Sequence, residues 1–175
     1  MLDDMGLDVF AVYMFSPSMR QAILAEFYKV VEPLLEEQKP FDLVTHSWGT
    51  VIAYEGLRAL EQHGFDTPPI GCWFTVGAAL SIAPVRWSLP APNKDGRKPK
   101  LVRRWINIDA QGDGVGGSLH PHYSVDDEFL EQVPTGCTEG FFGYDLRCAH
   151  GSYFRNENIV VNRDRFAKFL VGTGS

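Results

Sequence analysis

With 175 residues, 45% of them hydrophobic and 22% charged, the chain has the size and composition of a single globular domain, which excludes disordered, fibrous and repeat architectures. Its net charge of −6 at pH 7 argues against a nucleic-acid partner, whose phosphates are usually met by a basic surface, whereas a small neutral substrate is compatible. Cys72, Cys137 and Cys148 are an odd number at wide spacings; they fit neither a zinc ligand set nor a dense disulfide framework and read most simply as belonging to a reducing compartment.

At the start of the chain Asp3 and Asp4 stand where a secretory signal would be positive. The longest apolar stretch, Ile70 to Val85, is interrupted by Gly71, Gly77 and Pro84 and is too short to span a bilayer. A soluble, cytoplasmic protein is therefore expected. Asp8 to Tyr13 is rich in β-branched and aromatic residues and predicts a buried strand. Ser16 then offers an N-cap to a helix running to Gln38, with Ala22, Ile23, Phe27, Val30, Val31 and Leu34 on its apolar face, and Pro40 stops it. Phe41 to Thr45 predicts a central strand, and Thr50 to His63 a helix capped by Gly64. Gly71 to Val76 and Leu101 to Ile108 predict two more strands. Between them, Pro84 to Lys100 holds four prolines and predicts a surface excursion. Gly112 to Ala149 reads as irregular, and Arg163 to Leu170 as a short C-terminal helix. Alternating strands and helices predict one α/β domain over residues 1–175, a mostly parallel sheet with helices on both faces.

The segment Phe41-Asp42-Leu43-Val44-Thr45-His46-Ser47-Trp48-Gly49-Thr50 runs an apolar strand into a serine-centred turn and directly into a helix. That order lifts a hydroxyl above a sheet at a helix N-terminus, whose free N–H groups and positive dipole favour an oxyanion. Gly49 meets the small-residue requirement two positions after the serine, whereas Thr45 stands where glycine is expected two before, so the G-x-S-x-G pattern is half met. Taken alone, Ser47 reads equally well as a helix N-cap. His46, its neighbour, is expected beneath the turn rather than beside the hydroxyl.

These residues resemble the α/β-hydrolase superfamily, in particular its lipase-like and esterase-like members. Phe74 to Leu80 resembles the strand following the elbow helix, Trp105 to Val115 the strand and loop that deliver the triad acid, and His150 to Phe154 the loop that delivers the triad histidine. The resemblance implies a Ser47, Asp113, His150 triad in the fold's chain order, with Asp109 a competitor for the acid role and the N–H of Trp48 as one oxyanion donor. It implies cleavage of a small carboxylic ester through an acyl-enzyme, with no cofactor. Two other outcomes stay open: a non-catalytic hydrolase-like binding module, and acyl transfer to an alcohol instead of water.

Other motifs carry less. Gly112 to Gly117 formally matches G-x-G-x-x-G, but no helix start follows it. His120 and His122 near Asp126 and Asp127 lack metal-ligand spacing logic, so no metal is expected. The basic cluster of Lys94, Arg97, Lys98, Lys100, Arg103 and Arg104 reads as a solvated loop, with a docking patch for an anionic partner as the alternative. The sequence ahead of Ser47 holds room for one strand and one helix, so the fold is expected to be N-terminally truncated, without the loop that gives the second oxyanion N–H. The sheet edge so exposed is expected to pair with a missing N-terminal segment or a second copy of the chain.

Overall fold

The structure is a computed structural model that describes residues 7–65, 69–141, 143–158 and 166, with residues 7–10 described by their backbone alone. Two helices lead, α1 (Leu7–Phe15) and α2 (Pro17–Glu36). The strand expected over Asp8 to Tyr13 is therefore a correction. An unbroken apolar run fits a buried helix as well as a buried strand, and this one packs on α2 and buries Tyr13 completely. Helix α2 begins as expected, with Ser16 extended at the N-cap and Pro17 at the first helical position, where its missing N–H costs no bond. It ends two residues before Gln38, which turns the chain with a left-handed φ of 53°.

From Phe41 onward strand and helix alternate: β1 (Phe41–His46), α3 (Gly49–Leu60), β2 (Ile70–Val76), α4 (Ala83–Ser88), β3 (Val102–Ala110) and β4 (Asp127–Glu131). The four strands form one parallel sheet in the order β1-β2-β3-β4. The protein is thus of α/β class. Strand β1, expected to be central, stands at the sheet edge among the described residues, with Val44 43% exposed.

Alternate residues of β2 and β3 feed two cores, one per face, as a parallel sheet covered on both sides requires. Trp73 and Trp105 stack at 4.5 Å on one face beneath Tyr54 of α3. Phe74, Val76, Ile106 and Ile108 fill the other face together with Tyr153.

Two expectations about loops need correction. The segment 84–100 opens with α4 and is packed, because α3 supplies donors to its polar groups: Arg58 donates to Pro92 O and to Asp95, and the Tyr54 hydroxyl lies within donating reach of Asn93 O and Arg97 O. Its basic residues are partly paired, Arg97 with Glu61 and Lys98 with Asp126. The region 112–149 contains β4, a hairpin of β5 (Glu139–Gly140) and β6 (Gly143–Tyr144), and the short helix α5 (Leu146–His150). Strand β4 was hidden by its acidic residues, which the fold satisfies individually. Asp127 pairs with Arg104, and buried Glu131 accepts from Thr135 and Asn158.

Cys137 and Cys148 form a disulfide, so two of the three cysteines depart from the reduced state expected of them; Cys72 is a buried free thiol. The expected helix over 163–170 lies outside the described residues apart from Phe166, whose ring meets Phe74 at 5.1 Å. No helix among the described residues is long and apolar enough to cross a membrane.

Candidate active site

At the end of β1, Ser47 adopts φ 54°, a left-handed conformation that costs a non-glycine residue about 1–2 kcal/mol. Its own backbone bonds hold it there. The Ser47 N–H donates to Val76 O at 3.0 Å, and its carbonyl accepts from Thr50 N at 3.1 Å, Thr50 Oγ1 at 2.7 Å and Ala79 N at 3.3 Å. Thr45, the departure from the elbow pattern, is accommodated on the inner face. Its hydroxyl accepts the Trp73 indole N–H at 2.9 Å, and a Cβ built on Gly49 would stand 4.0 Å from its own, ordinary contact.

The turn presents Ser47 Oγ to His150 Nε2 at 2.9 Å, across 103 residues of chain. Nδ1 of the same imidazole lies 2.9 Å from Asp113 Oδ1 and 3.0 Å from Oδ2. A carboxylate only accepts, so Nδ1–H donates to Asp113 and Nε2 is left to accept the serine proton. The three expected residues are thus brought together, and Asp113, not Asp109, is the carboxylate at the imidazole.

Asp113 leaves β3 in a tight turn whose own amides return to it: Val115 N and Gly116 N donate to Oδ1 at 2.7 and 2.9 Å. This Asx turn is what the G-x-G-x-x-G letters encode here. Tyr153, fully buried, donates its hydroxyl proton to Oδ2 at 2.6 Å. Burial alone would raise the Asp113 carboxyl, yet the hydrogen bonds from His150, Tyr153, Gly116 and Val115 outweigh it and hold the group below the usual carboxylate range. The floor is made of glycine by necessity. A Cβ on Gly77, whose φ is 53°, would sit 2.9 Å from Asp113 Oδ2 and 3.2 Å from His150 Nδ1; one on Gly116 would sit 2.7 Å from both Asp113 Oδ2 and Asp109 Oδ1.

His150 ends α5, a five-residue helix capped by Asp145, whose Oδ1 accepts from Cys148 N at 2.8 Å. So short a helix needs outside support. The Cys137–Cys148 bond ties it to the preceding loop, and Asn158 links Ser152 O to Glu131 on β4. From below, His46 donates Nε2–H to His150 O at 3.1 Å, with ring centroids 4.6 Å apart. Burial first, and then the neighbouring His150, lower the His46 pKa, so it stays neutral as that donor. Trp48 follows Ser47 at the N-terminus of α3, where the helix dipole favours negative charge.

Scans against protein-family models, curated proteins and solved structures found no match.

The functional reading therefore rests on the site itself. Sequence reasoning missed the part played by Tyr153. The only signal for it is a tyrosine three positions beyond the histidine, which carries no meaning until β3 and α5 are placed side by side.

Proposed function

We propose that the chain is a serine hydrolase of α/β-hydrolase type that cleaves carboxylic esters through an acyl-enzyme on Ser47. The observation that carries this reading is the Ser47–His150–Asp113 hydrogen-bonded chain, with 2.9 Å at both joints, on a serine strained at φ 54°. A serine that merely capped α3 would need neither the imidazole nor the strain. In the reaction His150 Nε2 removes the Ser47 proton as Oγ attacks the ester carbonyl. The imidazolium, steadied by ionised Asp113, then protonates the departing alcohol. Water, deprotonated by His150, attacks the acyl-enzyme and releases the acid and free Ser47. The Trp48 N–H is the proposed oxyanion donor, a contact worth about 2.7–4 kcal/mol in such sites.

One observation favours a second reading. Strand β1 has no neighbouring strand on its outer side among the described residues, and that is the side from which a second oxyanion N–H is expected. Without that donor the chain would be a hydrolase-like binding module or a slow catalyst. The Cys137–Cys148 disulfide favours an oxidising compartment over the cytoplasm expected from composition.

A fluorophosphonate probe decides between the two readings. Labelling of the wild-type chain that disappears in Ser47→Ala is expected. Labelling that survives the substitution removes Ser47 from the mechanism, and no labelling of wild type, with no turnover of a short-chain activated ester, favours the binding module.

A further inference from the structure

We propose that Tyr153 is a positioning residue of this site, its hydroxyl holding Asp113 in register with His150, and that a second carboxyl, Asp109, competes for the same hydroxyl. The proposal rests on the reading of Asp113 and His150 as acid and base of a serine hydrolase.

Tyr153 is completely buried, and its Oη lies 2.6 Å from Asp113 Oδ2 and 3.3 Å from Asp109 Oδ1. A hydroxyl has one proton to give, so two carboxylates face a single donor and the shorter contact takes it. The two Asp113 oxygens are held differently. Oδ1 is fixed by the amides of Val115 and Gly116, whereas Oδ2 has Tyr153 as its donor besides His150. Without that hydroxyl, Oδ2 would depend on the imidazole it is meant to steer.

Asp109 reaches the same spot from the end of β3, its Oδ1 accepting from Ala110 N at 2.9 Å. Burial and then the nearby Asp113 charge push the Asp109 carboxyl up to about 6, against the bond from Ala110. The charged or titratable groups facing this cluster are His150 on α5, His46 on β1, with its ring 5.9 Å from that of Tyr153, and Glu128 on β4. While Asp109 is protonated, the Tyr153 proton belongs to Asp113 alone. Once Asp109 ionises, two like charges contest one hydrogen and Asp113 loosens.

The test is carbon-13 NMR of the aspartate carboxyls in the whole chain across pH, with Asp109→Asn and Asp113→Asn assigning the two resonances. Tyr153→Phe is expected to raise the Asp113 midpoint by about half a pH unit or more, through loss of a hydrogen bond to its charged form. Asp113→Asn is expected to lower the Asp109 midpoint, through loss of a neighbouring negative charge and release of the Tyr153 proton to Asp109. In turnover, Tyr153→Phe is expected to reduce kcat about 10-fold with KM unchanged, and Asp109→Asn to flatten the pH profile near 6. An Asp113 midpoint unmoved in Tyr153→Phe, or an Asp109 midpoint unmoved in Asp113→Asn, overturns the proposal, even if the wild type is an active esterase. Loss of the hydrolase reading through failed probe labelling leaves the carboxyl titrations to decide this one independently.

Discussion

Two buried carboxylates in this protein each meet a tyrosine hydroxyl and a nitrogen donor, yet they are driven in opposite directions. Glu55 on α3 accepts from Tyr13 of α1 and from Arg20 of α2, with Arg20 Nε 3.0 Å from Oε2, and ties the two leading helices to the sheet's covering helix. Its carboxyl is nonetheless raised, because burial outweighs those bonds. Asp113 is lowered, although its nitrogen partner is a histidine rather than an arginine. Its bonds from His150 and Tyr153 are joined by two donors with no counterpart in the contacts of Glu55, the amides of Val115 and Gly116, which the Asx turn aims at Oδ1 at no cost in side-chain entropy.

Substitutions should separate the two networks. Asp113→Asn keeps an oxygen for the turn amides but loses the charge and the tautomer control, so turnover should fall about 10⁴-fold while the melting temperature changes little; an active Asp113→Asn enzyme would assign the acid role elsewhere. Gly77→Ala strains a positive φ and drives a methyl into Asp113 and His150. Denaturant unfolding should show a loss of about 1–3 kcal/mol, and steady-state kinetics a loss of about 10²-fold from the displaced imidazole. Glu55→Gln should behave in the reverse sense, with about 1–3 kcal/mol less stability as Arg20 loses its counter-charge and unchanged turnover per folded molecule. The smallest effect separates Asp109 from its surroundings. Its folded value of about 6 lies above the unfolded one, so its contribution to stability rises as pH falls from 7 to 5. His46, lowered by burial, works the other way, since acid favours its unfolded, protonated form. Compared with wild type over that range, Asp109→Asn should therefore forgo a gain of up to about 1 kcal/mol, read from melting curves at the two pH values.

Much of this arrangement was legible in the letters, and the rest was hidden for identifiable reasons. Ser47 could be read because a strand–turn–helix junction constrains it locally, and Asp113 and His150 through the chain order that the resemblance implies. The α/β class followed from strands alternating with helices along the chain. Helix α1 was misread because eight of its nine residues are apolar and show no period, and β4 because its charges hide the strand behind a loop-like composition. Tyr153, the Asp109 competition and the Cys137–Cys148 bond depend on segments meeting across the sheet's end, which no local pattern announces.

The left-handed bend at residue 47 has a consequence for the protein's tolerance of change. Glycine would occupy that bend with less strain and no loss of the backbone bonds to Val76, Thr50 and Ala79. Selection for robustness alone would therefore drift toward a chain without the hydroxyl. Under the proposed function, the serine at this position trades some attainable durability for its hydroxyl.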